Sequence, residues 1–150
     1  MKRVITLLAS LFLFANLTFA GDLVNADASS KTALQGYDPV AFHTVGKAVK
    51  GNPAIAAEYH GFKYLFASEE NKAAFAQQPE KYLPLYGGYC AFGVSIDKLF
   101  PVEIDTWEIV NGRLVLQYSQ DIKREFAKNK EANFRKAESN WPRLVKNNSK

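Results

Sequence analysis

The chain has 150 residues, 19 Lys and Arg against 15 Asp and Glu, one cysteine and a 13% share of aromatics. That is one domain of ordinary size, and a lone cysteine excludes an internal disulfide, so stability falls to a hydrophobic core. The charge is uneven: residues 21–120 carry eight basic and eleven acidic side chains, a net of −3, and residues 121–150 carry nine and four, a net of +5.

Residues 1–20 read as an export signal. Lys2 and Arg3 lead an apolar run from Val4 to Leu17, and Thr18-Phe19-Ala20 places small residues at −3 and −1 of a cleavage site before Gly21. The run is too short for a membrane anchor, and the expected location is periplasmic or secreted. Residues 21–32 are polar and are expected to form a flexible leader, with the folded domain at 33–142 and a disordered tail at 143–150.

Val40–Phe42 and Lys47–Val49 are expected as short strands around Gly46. Ala56–Tyr59 and Phe62–Phe66 flank His60-Gly61, a two-residue hairpin signal. Ser68 is a good N-cap, followed by Glu69 and Glu70 where the helix dipole favours anions, and this helix should end before Pro79. Pro79–Tyr86 reads as a turn and a second short helix. The glycine-rich run Gly87-Gly88-Tyr89-Cys90-Ala91-Phe92-Gly93 suits neither a strand nor a helix interior.

Trp107–Val110 and Arg113–Tyr118 bracket Asn111-Gly112, the strongest short hairpin signal. Ser119 caps a helix with Ile122 and Phe126 four apart; after a break near Asn129 a second face carries Phe134 and Ala137, and Trp141-Pro142 ends the ordered part. The basic C-terminal segment is interleaved with Asp121, Glu125, Glu131 and Glu138, which makes it a solvated helix face. The expected fold is α+β: a small antiparallel sheet of β-hairpins packed with three or four short helices.

Gly36-Tyr37-Asp38-Pro39-Val40, the strand Glu58–Lys63, Tyr64-Leu65-Phe66-Ala67-Ser68 and Pro79-Glu80-Lys81-Tyr82 together carry a resemblance. The chain resembles the YHS domain, a small α+β module frequent in metal-handling proteins. Members that bind soft metals have cysteines at positions that correspond here to Ala41, Ala67 and Asn71, while Phe75 retains the family's Phe. Gly36–Ala41 and Gly87–Ala91 are similar to two segments of a secreted branch that lacks those cysteines. Phe42 and His43 depart from the branch's usual Tyr-Phe.

The resemblance and the paired glycines put the candidate ligand site at Tyr37, Asp38, Gly87, Gly88, Tyr89 and Cys90. Asp38 either faces that loop or serves its own turn. Tyr37, Tyr59, Tyr86 and Tyr89 are either a cluster beside the loop or aromatic core. Cys90 is either a reactive thiol or a buried small hydrophobe. With His43 and His60 it supplies a one-Cys, two-His metal set that would suit copper or zinc, although the two histidines lack ligand-type spacing.

Catalysis is disfavoured, because Ser68 and Ser95 lack a recognisable elbow or base and only a Cys90–His43 dyad has suitable residue types. Export argues against a nucleic-acid partner. The reading is an exported, non-catalytic binding module for a transition metal or a small molecule. A protein-interaction module, or a thiol redox sensor or enzyme at Cys90, is the alternative.

Overall fold

The computed structural model describes residues 22–149, so the expected signal at 1–20 lies outside the described residues. The architecture is α+β. Two antiparallel hairpins, β1 (Asn52–Tyr59) with β2 (Phe62–Phe66) and β3 (Glu103–Val110) with β4 (Arg113–Gln117), are accompanied by six helices. These are α1 (Ala41–Thr44), α2 (Glu69–Gln77), α3 (Pro79–Tyr82), α4 (Ala91–Ser95), α5 (Gln120–Lys128) and α6 (Lys130–Asn148). The hairpins form separate two-stranded sheets rather than one, and there are more helices than the three or four expected.

Both hairpin turns fall where the dipeptides put them, with positive φ at His60 and Gly61 and at Asn111 and Gly112. Ser68 and Ser119 cap α2 and α5 by accepting from Asn71 N–H and Ile122 N–H. Asn129 separates α5 from α6, with φ −138° and ψ 48°.

Four local expectations are corrected. Residues 41–44 are helix, not strand: Asp38 accepts from the amides of Val40 and Ala41, which starts a turn that Pro39 fits. Lys47–Val49 is not a strand either; Tyr37 makes a single bridge to Lys50 there. The leader is not loose, because Asp27 accepts from the amides of Ser29 and Ser30, Ala26 bridges Ala33, and Asn25 N–H donates to Gly87 O at 2.9 Å. The final helix passes through Pro142 to Asn148. Leu144, 7% exposed, and the Trp141 ring against Tyr86 hold it to the body beyond the proline.

The core falls into three clusters. Tyr64 and Phe66 of the first hairpin pack with Phe75 and Tyr82; Leu114 and Leu116 of the second pack with Phe42 and Cys90; and Val94, Val115, Phe126 and Leu144 join α4, α5 and α6. The loop Leu85–Cys90 contributes to two of these clusters, through Cys90 to the second and through Tyr86 to the third.

Candidate functional site: two clefts on either side of the glycine loop

The Leu85–Cys90 segment carries three left-handed residues in a row, Tyr86 (φ 54°), Gly87 (φ 58°) and Gly88 (φ 80°). Gly87 is dictated by packing as well as by φ, since a Cβ there would collide with the carbonyl oxygen of Leu23. The leader therefore crosses directly over Gly87, and Asn25 Nδ2 donates to Gly88 O at 3.1 Å. Tyr89 is half-buried, and its hydroxyl approaches Val24 O at 3.5 Å.

Cys90 ends the loop and caps α4. Gly93 N–H donates to its Sγ at 3.4 Å, and its thiol donates to Gln117 Oε1 at 3.3 Å. Gln117 also accepts from Phe92 N–H at 3.0 Å, and its own amide donates to Thr106 Oγ1 at 2.9 Å. Thr106 closes this chain at the irregular stretch of β3, where the register shifts between Glu103 and Glu108. Cys90 is 1% exposed, so it is the core cysteine of the two readings.

Beyond Cys90 the surface opens into an apolar cleft of about 340 Å³. Cys90 and Gly93 form its floor, Phe92 and Ile122 its walls, and Ile96, Phe100 and Tyr118 its rim. The three rim residues are 48, 38 and 52% exposed. Gly93 seats the Phe100 ring, which a Cβ there would meet at 2.7 Å, and Tyr118 packs edge-on against that ring at 6.1 Å between centroids. The rim is thus preorganised. None of Ile96, Phe100, Tyr118, Ile122 or Gln117 was marked as a site residue by the sequence, which placed Ile122 only on the apolar face of its helix; the signal that could have found the rim is that Ile96 and Phe100 are large apolar residues among polar and turn positions.

The other expected residues do not join this cleft. Asp38 is fully buried and bonds to other segments than the glycine loop: Oδ1 accepts from Val40 N–H (2.8 Å) and Ala41 N–H (3.3 Å), and Oδ2 from Ala67 N–H (2.8 Å) and Asn71 Nδ2 (2.7 Å). It serves its turn and ties it to the β2–α2 junction. Tyr37 is half-buried under the Lys50 ammonium, 4.1 Å from its ring centroid.

His43 sits edge-on against Tyr82, with Nε2 buried and unpartnered. Desolvation, aided by Lys81 and Arg113, holds its pKa below the usual 6.5. His60 lies at the first hairpin turn, stacked on Tyr59 and paired with Asp22. Cys90, His43 and His60 therefore occupy three different places, and among the described residues no three His, Cys, Asp or Glu side chains gather as a metal-ligating group.

On the opposite side of the loop lies a second cleft of about 430 Å³ between the leader, the first hairpin and α6. Gly87 and Tyr86 face it together with Arg113, Trp141 and Glu138. The Tyr86 hydroxyl is buried without a partner, and burial with nearby Glu138 pushes its pKa up to about 12.

Residues 40–86 match the sequence profile of the YHS domain. The chain contains a YHS domain. The match runs from α1 through the first hairpin to the glycine loop, and leaves the second hairpin, α5 and α6 outside it. No curated protein and no solved structure matches the chain. Among the described residues no helix is long and apolar enough to cross a membrane.

Within this YHS domain, the three positions that carry cysteine in soft-metal-binding members all meet the Asp38 carboxylate. Ala41 and Ala67 do so through their amides and Asn71 through its side chain. A carboxylate held by nitrogen donors at these positions offers no set of soft ligands.

Proposed function

We propose that this protein is an exported, non-catalytic YHS module that holds a small, predominantly apolar molecule in the cleft over Cys90. One observation carries the reading: Ile96, Phe100 and Tyr118, three of the four large hydrophobic residues exposed among the described residues, surround a single concave site. Exposed apolar surface costs about 25 cal/mol per Å² in lost burial, and its concentration in one cleft is a common sign of a binding site. The volume lies at the lower end of ligand pockets, roughly 300 to 1,000 Å³.

The side-chain chemistry supports binding rather than turnover. The Cys90 thiol meets an amide oxygen, not a base; Ser95 Oγ donates to Phe92 O, and Ser68 Oγ is engaged as a helix cap. No activated nucleophile is formed by these groups. Export is supported by the pattern of residues 1–20, with its basic start, apolar run and small-residue cleavage site.

The test is a titration of the mature chain, beginning at Gly21, with the neutral apolar dye N-phenyl-1-naphthylamine. Saturable binding that Ile96→Asp abolishes without lowering the melting temperature supports the cleft. Binding of equal strength in Ile96→Asp would place the dye elsewhere and defeat the reading.

A further inference from the structure

The second cleft, behind Gly87, holds a charge pattern that the apolar-ligand reading does not use. Arg113, the first residue of β4, is half-buried, and its Nε is buried with no hydrogen-bond partner. Tyr86 is 5% exposed, and its hydroxyl is likewise unpartnered. Two buried donors left unpaired beside one cleft are unusual, because a buried polar group normally finds a partner and costs about 1–3 kcal/mol when it does not.

Three other lining residues have the opposite character. Asp22, Glu80 and Glu138 are carboxylates, of which Asp22 is paired with His60 and Glu80 accepts from the Tyr59 hydroxyl at 2.8 Å. Glu138 is exposed at the mouth, and the Trp141 and Tyr86 rings pack edge to face at 5.8 Å. A guanidinium and a phenol favour a carboxylate, whereas a carboxylate and aromatic faces favour an ammonium. An anion alone would meet the three acids, and a cation alone would meet Arg113.

We propose that this cleft binds a small zwitterion of the amino-acid or dipeptide class, its carboxylate at Arg113 and Tyr86 and its ammonium toward Glu138 and Trp141. Leu23, Val24, Leu83 and Val145 supply the apolar lining for the side chain. The leader, laid across Gly87, forms one wall, so the site exists only with the leader in place. About 430 Å³ accommodates a free amino acid or a dipeptide.

The chain has two tryptophans, and only Trp141 lines this cleft, since Trp107 packs on Phe42 at 5.4 Å. The indole N–H resonance of Trp141, assigned with Trp107→Phe, therefore reports on the site. L-leucine, L-phenylalanine and glycyl-L-phenylalanine would be titrated beside N-acetyl-L-leucine, which lacks the ammonium, and L-leucine methyl ester, which lacks the carboxylate. The expected result is a saturable shift with at least one zwitterion, about tenfold weaker with either singly charged analogue. Arg113→Gln and Tyr86→Phe should each weaken the zwitterion while the amide spectrum stays folded. No shift with any of the three zwitterions overturns the proposal, as does equal binding of a singly charged analogue. Unchanged binding in both folded variants overturns it too.

Discussion

Asn71 donates its side-chain amide to Asp38 Oδ2 at 2.7 Å, so two residues 33 positions apart are locked together in the interior. Asp38 is fully buried and accepts three backbone amides besides, from Val40, Ala41 and Ala67. The bond occupies the region where the soft-metal-binding YHS pattern would place thiols. Asp38 is thereby a structural hub, which ties its own turn to the β2–α2 junction.

The two ends of this bond should differ in cost. Asp38→Ala removes every acceptor for four donors and should destabilise the protein by at least about 3 kcal/mol, whereas Asn71→Ala, which removes one donor, should cost about 1–2 kcal/mol. Urea denaturation of the three proteins measures both. Equal losses would show that Asp38 does not hold the turn and the β2–α2 junction together.

Acid should destabilise the fold through His43. Its folded pKa lies below the ordinary 6.5, so between those two values the unfolded chain binds the proton and the folded chain does not. The stabilisation is full above 6.5, falls as pH drops through the window, and loses nothing further from this group below the folded pKa. His43→Phe should flatten that part of the stability–pH curve. An unchanged slope in the variant would remove His43 as its source.

Cys90 should behave as a cap and not as a reagent. In the folded protein its thiol should react with 5,5′-dithiobis(2-nitrobenzoate) only as fast as the chain opens, because it is 1% exposed and bonded to Gln117 and Gly93. Cys90→Ala should cost about 1 kcal/mol through the lost cap, with Cys90→Ser recovering part of it. Stoichiometric labelling at native-state rates before any unfolding would restore the redox reading.

The leader should depend on Gly87. Gly87→Ala brings a methyl group onto the Leu23 carbonyl, at a φ of 58° that is already unfavourable for a side chain. The Asn25 amide, bonded to Gly87 O, should lose its hydrogen-exchange protection while Leu114 in β4 keeps its own. Protection retained at Asn25 would mean that the leader is held without the close approach.

What was legible in the sequence was what a few adjacent residues decide. His60-Gly61 and Asn111-Gly112 set their turns, and Ser68 and Ser119 set their helix starts, by chemistry reaching three residues at most. The strand expected at Val40–Phe42 was misread for a local reason: a proline such as Pro39 can precede a strand or a helical turn, and the Val40 and Ala41 amides that Asp38 accepts decide for the helix. The end of α6 was misjudged because Pro142 breaks only the local ladder, while the tertiary contacts of Trp141 and Leu144 carry the helix past it.

The candidate site was hidden for a different reason. The Cys90–Gln117 bond spans 27 residues, and Ile96, Phe100, Tyr118 and Ile122 come from the end of α4, a loop, the end of β4 and α5. No periodicity connects them. The glycine loop was the segment that the sequence singled out, and its residues line two different clefts, Tyr86 and Gly87 one and Cys90 the other.

The most direct measurement is a methyl-resolved NMR titration of the chain from Gly21 onward with N-phenyl-1-naphthylamine. Ile96 and Ile122 line the proposed cleft, whereas Ile55 lies on β1 and packs against the cluster of Tyr64, Phe66 and Phe75. The account predicts saturable shifts at Ile96 and Ile122 with a single dissociation constant, and a silent Ile55. Shifts centred on Ile55, or Ile96 and Ile122 unmoved at saturation, would contradict it.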